Sequence, residues 1–273
     1  RVLMATVRMA AETGWDQYAW RIAYALREIL DIRAEWHELV AVSSLALAAA
    51  RRAGDTVGEA HAHAALALGQ FRLGRHQEAR RHLELSVHLF TSLGDLAGQA
   101  TEYANLGIVL GVQGDWKAAV DHCEQAIALY RRAGERARQA AALNTAGWYH
   151  TLLGNYPQAL GYIHAARRLH QEHGYARGEA HSYDTLAHVY LKLGSVPSAI
   201  TAYRRAVTLF RSLGDRHYEA VTLERLGDAY HLAGDDQAAQ EVWDRASMIL
   251  KDLNYPESAR LRVSCTRVRP VGS

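Results

Sequence analysis

Apolar positions in this chain recur at helical spacing, and the whole arrangement repeats every 40 residues. Small residues mark one stripe: Ala67, Gly107, Gly147, Ala187 and Gly227 in the first half of successive units, Ala79, Ala119, Ala159, Ala199 and Ala239 in the second. Larger residues mark another, namely Leu66, Leu106, Leu186 and Leu226, then Leu83, Cys123, Ile163, Tyr203 and Trp243. The first set is expected where two helices of a pair touch, the second between units. Glycines punctuate the pattern: Gly54, Gly94, Gly134, Gly174 and Gly214 at the unit boundaries, Gly74, Gly114, Gly154, Gly194 and Gly234 at the turn inside. Each falls just after a helix, where a left-handed residue ends the run most cheaply when it has no Cβ.

The pattern predicts helix pairs over 17–33 with 36–52, 56–73 with 76–93, 96–113 with 116–133, 136–153 with 156–173, 176–193 with 196–213, and 216–233 with 236–253. A further helix is expected over 1–13, as the partner of a segment upstream. The units are therefore 14–53, 54–93, 94–133, 134–173, 174–213 and 214–254 within one array from 14 to 254, with a polar capping helix over 256–267 and a tail within 255–273. Asp115, Asn155, Ser195 and Asp235 follow the inner glycines and are expected to cap the next helix, with Pro157 and Pro197 in its first turn.

Charge adds little. A formal +2, spread along the chain, gives no reason to expect direct contact with nucleic acid or an anionic membrane. No apolar run approaches the roughly 18 residues of a spanning helix, and the opening is too charged for a signal sequence. Two distant cysteines, Cys123 and Cys265, fit a reducing cytoplasm, and Cys123 stands at a core position as an inert thiol. The chain begins without Met and in mid-helix by its pattern, as a piece of something longer would.

The skeleton Leu106-Gly107, Leu110, Gly114, Ala119, Cys123 and Ala126 resembles the tetratricopeptide repeat, and Leu226-Gly227, Tyr230, Gly234, Ala239, Trp243 and Ala246 match it more closely. The resemblance implies an all-α fold, a right-handed α-solenoid of about six helix hairpins, and a protein- or peptide-binding role. The period of 40 rather than 34 is similar to kinesin light chains, spindle-orientation adaptors and many bacterial regulators. The first unit departs from the pattern, with Arg27 for a small residue, Ala34 for glycine and Leu39 for alanine. The run Met9 to Trp20, with Ala23-Tyr24-Ala25-Leu26 and Ala48 to Glu59, resembles the C-terminal region of actinobacterial AfsR and SARP-type transcriptional regulators. That resemblance implies a nucleotide-binding NB-ARC module of the STAND class in the same polypeptide, as a partner of the array. No phosphate-binding loop occurs in this sequence.

In repeats of this class the first helices line the concave surface. Their outward stripe reads His61, Ala64, Leu68 and Phe71; Thr101, Ala104, Ile108 and Gly111; Ala141, Asn144, Trp148 and Thr151; His181, Asp184, His188 and Leu191; Val221, Glu224, Asp228 and His231. Phe71 and Trp148 are candidate apolar anchors, and Arg72, Asn105, Ile108, Asn144 and Thr151 are further candidate contacts on the same face. Asp184, His188, Glu224, Asp228 and His231 make the later part acidic and histidine-rich, which suits a ligand with an apolar segment followed by a basic one. Lys and Asn do not recur at the matching positions that a carboxylate clamp requires. The fifteen histidines lack metal-ligand spacing, and no acid, base and nucleophile converge, so neither a metal, a cofactor nor an enzyme is expected. An oligomer, a free-standing adaptor and a peptide-pheromone sensor are all compatible with the pattern.

Overall fold

The structure is a computed structural model that describes residues 2–253. The expected capping helix at 256–267, the tail and Cys265 lie outside the described residues. Thirteen α-helices and no strand occur among those described: α1 (Val2–Glu12), α2 (Asp16–Ile32), α3 (Trp36–Ala53), α4 (Thr56–Arg72), α5 (His76–Ser92), α6 (Leu96–Val112), α7 (Trp116–Ala133), α8 (Arg136–Leu152), α9 (Tyr156–Glu172), α10 (Ala176–Lys192), α11 (Val196–Ser212), α12 (Arg216–Leu232) and α13 (Asp236–Asp252). This is an all-α repeat fold. The described residues divide into two compact units on either side of Glu135 and Arg136.

From α2 to α12 the helices stop by the same device. Gly74 has φ +76°, its N–H reaches the Phe71 carbonyl at 3.0 Å, and the Arg75 N–H reaches back to Gln70 at 2.9 Å. This double closure satisfies the last orphan carbonyls, and it recurs at every junction of the array. In the departing first unit, Ala34 adopts the same left-handed conformation at φ +55° with a Cβ in place. An L-residue there carries about 1–2 kcal/mol of strain. Ala34→Gly is therefore expected to stabilise the protein by about 1 kcal/mol, measured as a raised urea midpoint at unchanged slope. A lower midpoint would contradict the strain.

Helix starts are more varied than the sequence suggests. Asp115 and Asp235 accept from the third helical N–H, and so do Asp55, Asp95 and Asp215 after the outer glycines. Asn155 and Ser195 make no such bond, and the Ser195 hydroxyl instead meets that of Ser198 at 2.8 Å. Both precede helices with proline in the first turn, so those two starts rest on the preset φ of proline instead.

The small residues do sit at helix contacts. A Cβ on Gly107 would lie 2.9 Å from Cys123 Sγ and 3.1 Å from the Ala119 carbonyl; on Gly147 it would lie 2.5 Å from Ile163 Cγ1. Leu83, Cys123, Ile163 and Tyr203 are buried around these contacts. In the first unit, α1 packs on α2 and α3, and Val7 is fully buried beside Trp20, Leu26 and Leu39. Across successive hairpins a polar tie recurs eight residues apart, from the end of one helix to the start of the next. Arg51 bonds Glu59 at 2.8 Å, Gln99 bonds Thr91 at 2.8 Å, Gln171 bonds Glu179 at 2.7 Å, and Arg211 bonds Glu219 at 2.9 Å.

Candidate cleft on the first helices

In the first compact unit, α2, α4 and α6 present one cleft of about 450 Å³. The floor comes from α4 and α6, where Ala64, Ala67, Leu68 and Phe71 meet Ile108 and Val109 at helical spacing, closed below by Leu83. Four of the expected site residues, Phe71, Arg72, Asn105 and Ile108, line it together. Ile108 is 40 % exposed at the mouth and Phe71 half-buried.

Two charged residues of this cleft, Glu102 and Arg27, were not among the expected site residues. Glu102 is only 4 % exposed, and burial pushes its carboxyl up to about 7 against the pull of Asn105 and Arg27. Asn105 Nδ2 donates to Glu102 Oε2 at 3.1 Å. Arg27 stands at the cleft with its guanidinium over the Tyr24 ring, 4.9 Å from the centroid. A signal for Glu102 was present: in four of the other repeats the equivalent positions are Ala62, Ala142, Ser182 and Thr222, all small and buried, and in the departing first unit it is Ile22. A carboxyl in a slot that otherwise holds small residues is costly unless it is used. Arg72, by contrast, is spent: its Nε and Nη2 donate to the two Asp31 carboxylate oxygens at 2.8 Å each, tying α4 to α2.

In the second unit the expected residues also stand side by side on neighbouring first helices, but they engage one another. Asn144 Nδ2 of α8 donates to Thr185 Oγ1 of α10 at 3.1 Å. Trp148 is half-buried, its ring 4.9 Å from that of His188. Arg225 of α12 forms an ion pair with Asp184, which removes the free negative charge assigned to that position. Burial, helped by Lys192 and Arg225, pushes the His188 imidazole down to about 4, so it is neutral at pH 7. Glu224 and Asp228 are half-buried, while His231 is exposed with Nδ1 2.6 Å from Asp236 Oδ1. Thr151 does not line a groove: it is 3 % exposed, and its hydroxyl donates to the Gly147 carbonyl at 2.8 Å. Its i+10 place in the stripe falls where α8 has already turned inward.

Two of the histidines serve as flat packing elements. His61 lies between Tyr24 and Phe90, with ring centroids 4.6 and 5.2 Å away, and His181 between Phe210 and Tyr218 at 4.9 and 4.5 Å. Burial lowers both imidazoles, keeping them uncharged near neutrality. Burial likewise pushes the Cys123 thiol up to about 12, leaving it inert. Among the described residues no helix is long and apolar enough to cross a membrane.

Several solved structures share this architecture. BtubC (BKLC) from P. vanneervenii superposes with a TM-score of 0.70 at 21 % identity, covering 81 % of this chain and 93 % of its own. A Rap conjugation gene regulator of plasmid pLS20, in complex with the Phr* peptide, gives 0.66 at 12 % identity over 93 % of this chain and 75 % of its own. A kinesin light chain repeat protein of Podosopora anserina gives 0.58 at 18 % identity over 71 % and 95 %. At these identities the likeness is one of fold. No curated protein matches the sequence. The tetratricopeptide repeat family model matches residues 99–172 and 178–251, more than half of the chain. Stacked repeats of this kind are protein-interaction scaffolds, and the chain belongs to the tetratricopeptide repeat family.

Proposed function

We propose that this chain binds a peptide or an extended protein segment on its first helices, seated by one apolar side chain in the cleft of α2, α4 and α6. The observation that carries this reading is the cleft itself. A cleft of about 450 Å³ with an apolar floor has the size of a ligand pocket, and the Glu102–Asn105 pair at its wall supplies fixed polar atoms for the ligand's amide or amine groups. The pLS20 Rap regulator, which shares the fold, is solved with a peptide, and that supports a peptide ligand here. We also propose that the array is the sensing part of a larger bacterial transcriptional regulator, whose nucleotide-binding module it restrains. The support is the AfsR and SARP-like run between Met9 and Glu59, and an upstream reading frame without a phosphate-binding loop would end that part of the proposal.

Selection of random displayed peptides against the immobilised chain tests the binding site. Ile108→Arg places a charge at the cleft mouth, and as an exposed change it should alter stability by no more than about 0.5 kcal/mol. Peptides enriched on the wild type are expected to be lost on the variant. Enrichment of the same peptides on both would place recognition elsewhere.

A further inference from the structure

We propose a second binding site in the later unit, a cationic cleft between the second helices α9 and α11 that takes an extended acidic peptide segment. It goes beyond the first-helix reading and uses none of its residues. The cleft measures about 640 Å³, and α10 forms its floor with Tyr183 and Tyr190, on a different face from Asp184 and His188. Three arginines line it, Arg167 from α9 and Arg204 and Arg205 from α11, and no carboxylate does so among the described residues.

These cations lack partners of opposite charge. Neither Arg204 nor Arg205 is ion-paired among the described residues, in a chain where Arg51, Arg52, Arg72, Arg211 and Arg225 all hold carboxylates. Arg167 lies over the Tyr183 ring, 5.2 Å from its centroid, and its Nη1 meets the Tyr183 hydroxyl at 3.2 Å. That stacking holds the guanidinium in place while its buried Nε has no acceptor. A guanidinium fixed at the cleft in this way is suited to a carboxylate, which it would meet through its outer N–H groups and not through the buried Nε.

The shape selects an extended ligand. On α11 the lining residues Thr201, Arg205 and Thr208 follow one stripe of about 10 Å, with the cations Arg204 and Arg205 adjacent in its middle and Arg167 across the cleft on α9. Both threonine hydroxyls already donate to backbone carbonyls, Thr201 to Pro197 and Thr208 to Arg204, each at 2.9 Å. Besides Ser198, whose hydroxyl accepts from Ser195 at 2.8 Å, the donors left along the stripe are the arginines. Cations on two different helices with an aromatic floor between them match carboxylates on separate residues of a peptide better than one compact anion.

The test is fluorescence anisotropy with a labelled peptide of alternating Glu and Ala, against one of alternating Gln and Ala. The Glu peptide is expected to bind, more weakly as salt rises. The double variant Arg204→Gln/Arg205→Gln, whose far-ultraviolet circular dichroism should be unchanged, is expected to lose at least about tenfold in affinity. Ile108→Arg should leave this binding intact, so failure of the first-helix reading and failure of this one are told apart. Equal binding of both peptides, or no effect of the double variant, would overturn the proposal. Displacement by inorganic pyrophosphate at concentrations similar to the peptide would also overturn it, by showing a compact-anion site.

Discussion

Glu102→Gln is expected to make the protein more stable above pH 7 and to weaken its ligand binding. The Glu102 carboxyl is buried and pushed from 4.5 to about 7, so the folded state holds a proton that the unfolded chain releases between those values. Stability therefore falls as pH rises from about 4.5 to about 7, and the full cost is present above that window. Two and a half pH units of differential ionisation correspond to about 3 kcal/mol at pH 8. Gln keeps the shape and still accepts from Asn105 Nδ2, so the variant escapes that cost. Urea unfolding at pH 4 and pH 8 measures it: the midpoints should nearly coincide at pH 4 and separate at pH 8, the variant higher. A variant less stable at pH 8 would mean that the carboxylate is held by partners in the free protein, against its place in the cleft. The same cost is the reason to assign Glu102 to a ligand, since a residue that only destabilises the free fold has no other evident use there.

Gly147→Val should open the α8–α9 hairpin at a cost of about 3 kcal/mol. A Cβ at that position would stand 2.5 Å from Ile163 Cγ1 and 3.2 Å from the Ala159 carbonyl, and Ile163 is fully buried with nowhere to move. Overpacking of this kind outweighs the roughly 1 kcal/mol that leaving glycine brings to a helix interior. Ile163→Ala alone leaves a cavity and also costs about 3 kcal/mol. Together the two changes fill one another's defect, so the double variant is expected to lie near either single variant instead of at their sum. Additive losses in guanidinium melts would show that the two side chains do not share the contact.

The helices, their turns and the buried stripes were legible because each is a local pattern repeated with the same period. Gly74 or Gly147 stands out against its equivalents 40 residues away, and the unusual Ala34 was visible as the one alanine among glycines. Less could be read of the site, for three physical reasons. Outward spacing on a single helix does not show what the next first helix offers: Asp184 meets Arg225 and Asn144 meets Thr185, both 41 residues on, so polar residues expected to face a ligand face each other. Position within the stripe also decides exposure, and Thr151 at its far end is buried. Finally, Glu102, a buried carboxyl whose surroundings disfavour its charge, lies between stripes, where only comparison with Ala62, Ala142, Ser182 and Thr222 reveals it.

The most direct measurement of the central claim is a map of backbone amide shifts on the labelled protein as a selected peptide is titrated to saturation. The expected result is that the largest changes fall on Ala64 to Arg72 of α4 and Thr101 to Val109 of α6, with Glu102 and Ile108 among them. Saturating binding that leaves these two segments unmoved and shifts amides elsewhere would contradict the assignment of the cleft.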